Sequence, residues 1–274
     1  MGTRREEPVR IGVCGAAGRM GRRIIACVTD DEGCCVSGAV DVDASGSIGR
    51  DSGELSGCGA NGVAVTTDLA AVCAASDVVI DFALHEGFGK RLEEYVRALT
   101  PCVIGTTAVG SAGEDDVRAA SEKISIVHAP NFSVGVNVLC ALVRQAAEAL
   151  GAGYDIELIE MHHRRKKDAP SGTATRLLEV LEGATGVSEK DRVYGREGMT
   201  GARRAEEIGV HAVRGGGVVG DHTVVFASES ERVELTHRAE TRDVFARGAI
   251  RAAVYVRGRT AGLYTMTDVL GLSE

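Results

Sequence analysis

Residues 9–21 read VRIGVCGAAGRMG, and glycines 15, 18 and 21 decide how the chain begins to fold. The stretch from Val9 to Cys14 is apolar except for Arg10, which predicts a buried strand running into Gly15. Met20, Ile24 and Val28 then recur at four-residue steps, which predicts a helix ending near Gly33. A helix start carries N–H groups without intrahelical partners and a partial positive charge, so this strand–glycine–helix turn suits a pyrophosphate. The spacing is G-x-x-G-x-x-G rather than G-x-G-x-x-G, and a plain glycine turn is the competing reading. The next strand, CVSGAVDVD at 35–43, ends in acid. Asp41 falls 20 residues after Gly21, where a carboxylate can hydrogen-bond an adenosine ribose; a surface Asp is the alternative.

The acid also bears on the cofactor. Asp41 favours a free 2′-hydroxyl and repels a 2′-phosphate, and Val42 beside it offers no cation. These residues point to NADH over NADPH, although Arg19 and Arg50 are near enough in sequence to work against that.

Outward from the glycine turn, strands and helices alternate. Residues 46–62 hold six glycines and predict a loop. DLAAVCAAS (68–76) predicts a short helix and DVVIDFA (77–83) an apolar strand; Phe88, Leu92, Tyr95, Val96 and Leu99 form a helical stripe. PCVIGTT (101–107) is a strand, EDDVRAASEK (114–123) a helix and ISIVHAPN (124–131) a strand. Strands that are apolar throughout and separated by helices predict a parallel sheet covered on both faces. After residue 133 the order changes. A long helix, SVGVNVLCALVRQAAEALG, is followed by YDIELIEM, which alternates except that Ile156, Leu158 and Met161 depart from a simple face. Three more strands follow with little helix between them (206–217, 220–228 and 231–239), which predicts an antiparallel or mixed sheet. Helix returns at 241–258. The expected fold is α/β: a Rossmann-like nucleotide-binding domain at 1–133 and 243–274, and a second α+β domain with an open mixed sheet at 134–242.

Composition narrows the function classes. The chain has 274 residues, 44% of them hydrophobic, enough for a real core, and a formal net charge of -8. An acidic chain has no global field for nucleic acid or an anionic membrane, so neither is an expected partner. The eight cysteines (14, 27, 34, 35, 58, 73, 102 and 140) include no C-x-x-C pair and no Cys/His set with zinc spacing. They read as free thiols in a reducing cytoplasm, and no metal is expected. The N-terminus lacks the apolar region of a signal peptide, Glu6 stands where a myristoylation motif wants Ser or Thr, and no apolar run approaches the roughly 20 residues of a membrane helix.

One segment stands against the acidic balance: HHRRKKDAPSGT at 162–173. Pro170 and Ser171 signal a helix start, and Ala174, Leu177, Leu178 and Leu181 give its buried stripe. The backbone N–H groups of Ser171, Gly172 and Thr173, with Lys and His upstream, make a plausible carboxylate site. A solvated charge run, a nucleic-acid patch and a catalytic His/Lys pair all remain open on these residues alone.

Taken together, GAAGRMG (15–21), GTT (105–107), APNFSVGVN (129–137), HHRRKKDAPSGTA (162–174) and GLYTMTDVL (262–270) resemble the 4-hydroxy-tetrahydrodipicolinate reductase (dihydrodipicolinate reductase) family. The resemblance runs through nearly the whole chain. It implies a Rossmann-like domain, a substrate domain and a homotetramer formed through the open sheets. It also implies transfer of hydride from NAD(P)H to a cyclic dicarboxylate with loss of water, in diaminopimelate and lysine biosynthesis. By that resemblance, Gly15, Ala16, Ala17, Gly18, Arg19 and Met20 bind the pyrophosphate and Asp41 the ribose. Gly105, Thr106, Thr107, Ala129, Pro130, Asn131 and Phe132 line the nicotinamide side. His162 is the acid/base group and Lys166 the proton donor, on one side of a helical turn. His163, Lys166, Gly172 and Thr173 hold the substrate carboxylates. Two departures bear on the cofactor: many relatives carry a basic residue where Val42 stands, and some an Arg where Leu84 stands. Both favour NADH, with NADPH as the other possible cofactor. Another NAD(P)-dependent reductase of an amino-acid precursor, or a non-catalytic NADH-binding regulator, are the rival functions.

Overall fold

The structure, a computed structural model, describes residues 7–107 and 110–272. Glu6 therefore lies outside the described residues. The chain divides into two compact units, one running up to Val134 and resuming at Asp243–Gly271, the other spanning Gly135–Arg242 and including Leu272.

The first unit begins with β1 (Val9–Cys14), α1 (Arg19–Thr29), β2 (Cys34–Val40), α2 (Ser52–Ser56), β3 (Val65–Thr66), α3 (Leu69–Ala75), β4 (Val78–Asp81), α4 (Phe88–Arg97), β5 (Cys102–Ile104), α5 (Gly110–Ser121) and β6 (Ser125–His128). The second holds most of α6 (Val134–Leu150), then β7 (Asp155–His162), α7 (Gly172–Thr185), β8 (Arg192–Tyr194), β9 (Ile208–Arg214), β10 (Gly220–Ala227) and β11 (Arg232–Ala239). The chain then returns to the first unit with α8 (Asp243–Val256), β12 (Gly262–Tyr264) and α9 (Met266–Leu270).

The first sheet runs β12-β6-β5-β4-β1-β2-β3, with every pair parallel. Its strands read as continuous apolar runs because both faces are covered. Val78 and Ile80 of β4 join a core with Ile24 and Val28 of α1 and with Ala249 and Val256 of α8. Val79, between them, faces the opposite core, built from Val72 of α3, Phe88, Leu92 and Tyr95 of α4, and Val117 of α5. Strand order reverses at β1, which lies between β4 and β2. Such a reversal opens a crevice at the carboxyl ends of the strands, where ligands of this architecture bind.

The second sheet runs β11-β10-β7-β9-β8. It is mixed, since β10 pairs antiparallel with β7 and β11 while β9 pairs parallel with β7 and β8. One face packs on α6 and α7: Ile156, Leu158, Val210, Val224 and Phe226 meet Leu139 and Val143 and the fully buried Ala174, Leu177, Leu178 and Leu181. On the other face Ile159 and Val213 are about two-fifths exposed (40% and 43%). Along β7 the buried face continues from Ile156 and Leu158 into Glu160 and His162, while Met161 belongs to the other face, so the departure read at Met161 is simple alternation.

Three expectations change, and three short strands were not anticipated. Residues 46–62 contain α2, because the Asp51 side chain caps it through the N–H groups of Gly53 and Glu54. Leu99 falls beyond the end of α4, at φ 52° and 71% exposed, so it is not part of the stripe. The short strands β3, β8 and β12, two or three residues each, give too little pattern to read. Finally, the helical stretch Val134–Gly153 has mean hydropathy 1.2 and is long and apolar enough to cross a membrane by length and composition alone. Here its Leu139, Val143 and Ala147 are buried in the core of the second unit.

Candidate active site

In the first unit, β1 delivers the chain into Gly15 at φ 78°, a backbone state that side chains resist. A Cβ there would lie 2.9 Å from Ala83 Cα, so the glycine turn sits directly against the loop leaving β4. Gly21 is equally constrained, since its Cβ would fall 2.1 Å from Gly15 O. Gly18 is the N-cap of α1 and gives it no side-chain cap, leaving the first turn suited to an anion. Asp41 reaches the same turn. Its Oδ2 accepts the Ala17 N–H at 2.7 Å and its Oδ1 the Val42 N–H at 2.8 Å. Val42 and Leu84 are exposed and uncharged, and Arg19 is exposed.

Beside the turn lies a cavity of about 410 Å³ lined by Met20, Phe82, Gly105, Thr107, Pro130, Asn131 and Phe132, among others. The Phe82 ring lies 2.3–2.5 Å from where a Gly105 Cβ would stand, so only glycine permits this wall. Phe82 and Phe132 meet at 5.4 Å between centroids. Ala16, Thr106 and Ala129 are buried instead. The Thr106 hydroxyl donates to Asp81 Oδ1 and Ala83 O, both at 3.1 Å. Asp81, with no exposed surface, also accepts from Arg91 Nε at 2.8 Å, Tyr95 OH at 2.9 Å and the Ala83 N–H at 2.9 Å. Arg91 in turn donates to Leu84 O and Glu86 O. One carboxylate thereby ties together the two loops that border the cavity.

In the second unit, His162 ends β7 and the chain then turns without forming a helix; the Lys166 N–H donates to His163 O at 3.0 Å. The helical turn expected between His162 and Lys166 is therefore absent, because a strand ends at the first of them. Lys166 Nζ pairs with Asp168 Oδ2 at 2.8 Å, and that hydrogen bond holds the Asp168 carboxyl below its ordinary range. Ser171 caps α7, its Oγ accepting the Ala174 N–H at 3.2 Å. The Ser171 N–H donates inward to Glu160 Oε1 at 3.2 Å, so it does not point out of the helix start as the sequence suggested. Gly172, the first helical residue, is exposed, and Thr173 follows half-buried. Among the described residues, His163 Nδ1 is buried without a hydrogen-bond partner. Burial, then the cations Arg242 and Arg165, push the His163 imidazole below its ordinary value, toward the neutral form. Arg164, Arg165 and Lys167 are exposed, as a solvated run would be.

Residues 9–132 match the family described as dihydrodipicolinate reductase, N-terminus, and residues 135–270 match dihydrodipicolinate reductase, C-terminus. The chain belongs to the dihydrodipicolinate reductase family. It is 51% identical over 265 residues to the 4-hydroxy-tetrahydrodipicolinate reductase of Anaeromyxobacter sp. (strain Fw109-5), covering 96% of this chain and 98% of that one. It is 49% identical to the reductase of that name from Thiobacillus denitrificans (strain ATCC 25259 / T1), covering 96% and 99%. Among solved structures, the dipicolinate-bound dihydrodipicolinate reductase from Paenisporosarcina sp. TG-14 has the same fold, with TM-score 0.76 and 23% identity over 95% of this chain and 98% of that one.

Within this dihydrodipicolinate reductase framework, several residues central to the geometry escape a sequence reading. Asp81 closes the apolar strand DVVID, and Arg91 lies on the α4 stripe, ten residues away. Glu160 continues an apolar face of β7, so a charge on the core side of an alternating strand was the available signal. Its partner Arg214 on β9 lies 54 positions further along the chain.

Proposed function

We propose that this chain, an NAD(P)H-dependent oxidoreductase, reduces 4-hydroxy-tetrahydrodipicolinate to tetrahydrodipicolinate with loss of water, in diaminopimelate and lysine biosynthesis, and prefers NADH. The reaction is the one named for relatives about half identical over nearly the whole chain. The observation that carries it is the pairing, in a chain of that family, of an acid-terminated glycine turn with an anion-suited helix start behind a His/Lys segment.

The residues of the first unit fit a dinucleotide. The Gly15 to Met20 turn suits the pyrophosphate, Asp41 the adenosine ribose, and the cavity walls Gly105, Thr107, Pro130, Asn131 and Phe132 the nicotinamide end. When bound, a reduced nicotinamide supplies the hydride. The uncharged Val42 and Leu84 support NADH, since neither can meet a 2′-phosphate.

In the second unit, Gly172 and Thr173 at the start of α7, with His163 and Lys166, hold the carboxylates of a cyclic dicarboxylate. A dipicolinate-bound relative of the same fold supports that substrate class, as does the unpartnered His163 Nδ1. Hydride addition to the unsaturated ring leaves electron density on the adjacent carbon. Lys166 gives that carbon its proton and offsets a carboxylate charge, and His162 is the acid/base group. We further propose that the first unit is the dinucleotide-binding domain, that the second serves substrate binding and assembly of a homotetramer, and that the enzyme works in the cytoplasm.

The test is an assay of the purified protein with the product mixture of dihydrodipicolinate synthase and either cofactor. NADH oxidation with a higher kcat/KM than for NADPH is expected. A tenfold preference for NADPH would sink the cofactor assignment, and no oxidation of either would favour a different amino-acid-precursor reductase. Lys166→Ala should cut turnover sharply and leave NADH affinity nearly unchanged; an equal loss of NADH binding would remove Lys166 from the chemistry.

A further inference from the structure

Glu160 carries a charge on the helix-facing side of β7 and has no exposed surface. A carboxylate in such a place is costly unless its oxygens are satisfied. Each of them is, twice over. Oε2 meets His162 Nδ1 at 2.6 Å and Arg214 Nη1 at 2.8 Å; Oε1 accepts Arg214 Nη2 at 2.8 Å and the Ser171 N–H at 3.2 Å. Burial alone would raise the Glu160 pKa, but the hydrogen bonds from Arg214 and His162 outweigh it and hold the group ionised at neutral pH. Arg214 also donates through Nη2 to Asp168 O at 2.7 Å, and the Gly215 N–H to His162 O at 2.9 Å. Glu160 thus joins His162, the cap of α7 and, through Arg214, the basic loop.

We infer that Glu160 is a positioning residue that fixes the tautomer and orientation of His162, with Arg214 as its clamp. An ionised carboxylate only accepts, so Nδ1 must carry the proton that lies between them. In neutral His162 the lone pair is then confined to Nε2, and an arriving proton makes Nε2 the donor. Residues around the ring help hold it. Gly220 lies across from Nε2, and a Cβ there would come within 3.0 Å. The His222 ring stands edge-on at 5.2 Å, itself bonded through Nε2 to Ser171 Oγ at 3.1 Å. A carboxylate behind a working imidazole, held by its own partner, is a known means of keeping one ring nitrogen free for proton transfer.

The inference rests on the reading of His162 as the acid/base group, and the experiment separates the two. In wild-type enzyme, ¹⁵N-histidine NMR at neutral pH should show His162 as the Nδ1–H tautomer or as imidazolium; an Nε2–H tautomer overturns the proposal, whatever the variants do. Glu160→Gln keeps the shape but can offer Nδ1 an amide donor. It should lower kcat about 10- to 100-fold with little change in KM for NADH. In a His162→Gln background the same change should have little further effect on kcat. If His162→Gln leaves kcat intact, the reading of His162 fails. If His162→Gln lowers kcat but Glu160→Gln does not, or does so equally in both backgrounds, the positioning role fails.

Discussion

The Asp81 carboxylate, with no exposed surface, accepts the Arg91 Nε–H at 2.8 Å, and this pair fastens the loop after β4 to the GTT loop after β5. Removing one member of such a pair leaves the other charged, buried and uncompensated, at a cost of roughly 3–5 kcal/mol. Asp81→Asn and Arg91→Met should each lower the melting temperature by several degrees and raise KM for the nicotinamide cofactor. Thermal melts and cofactor titrations check this; an unchanged melting temperature for both would show that the pair does not hold the loops.

The glycines divide by what a methyl group would meet. At Gly248 a Cβ would lie 1.7 Å from Phe132 O, and at Gly21 2.1 Å from Gly15 O; at Gly183, exposed on α7, it would meet nothing among the described residues within 4 Å. Gly21→Ala and Gly248→Ala should therefore destabilise, and Gly21→Ala should weaken cofactor binding as well. Gly183→Ala should stabilise by about 0.5–1 kcal/mol through helix propensity. Urea unfolding of the three variants reads the difference in sign.

Acid should act first through His222. Its burial lowers the imidazole pKa from 6.5 to about 4, so the unfolded chain takes up the proton more readily than the native one. The stability this confers is complete above pH 6.5 and is lost as pH falls toward 4; a shift of that size corresponds to roughly 3 kcal/mol. Glu157 follows at lower pH. Burial alone would raise it, but hydrogen bonds from Arg196, His211 and Arg203 hold it at about 2, so its contribution fades from its ordinary 4.5 down to 2. Urea midpoints measured between neutral pH and pH 4 should decline, and His222→Gln should flatten that decline. An unaltered slope in the variant would assign the effect to another group.

The cofactor preference should be movable. Val42 is 67% exposed and Leu84 77%. Arg at both positions would offer a 2′-phosphate charge-assisted hydrogen bonds, which are worth about 1.5–3 kcal/mol. Val42→Arg with Leu84→Arg should raise kcat/KM for NADPH about tenfold or more and change that for NADH little. No gain with NADPH would mean that the 2′ position lies away from these side chains.

Much of this molecule is local enough to read from its residues. The glycine turn with Asp41 behind it, the apolar strands of a doubly covered sheet and the Ser171 cap with its leucine stripe are short-range patterns, set by backbone sterics and hydrophobic periodicity. Tertiary structure decided the rest. The strand end at His162 replaced a helical turn, because β10 and β9 pair with β7 as far as Met161 and His162. Glu160 gained its partners from β9 and from the start of α7, and Asp81 gained Tyr95 and Arg91 from α4. A buried carboxylate takes its stability from donors that no local spacing announces. The sequence therefore determined where the charges lie along the chain, and only the packed sheets decided which of them face one another.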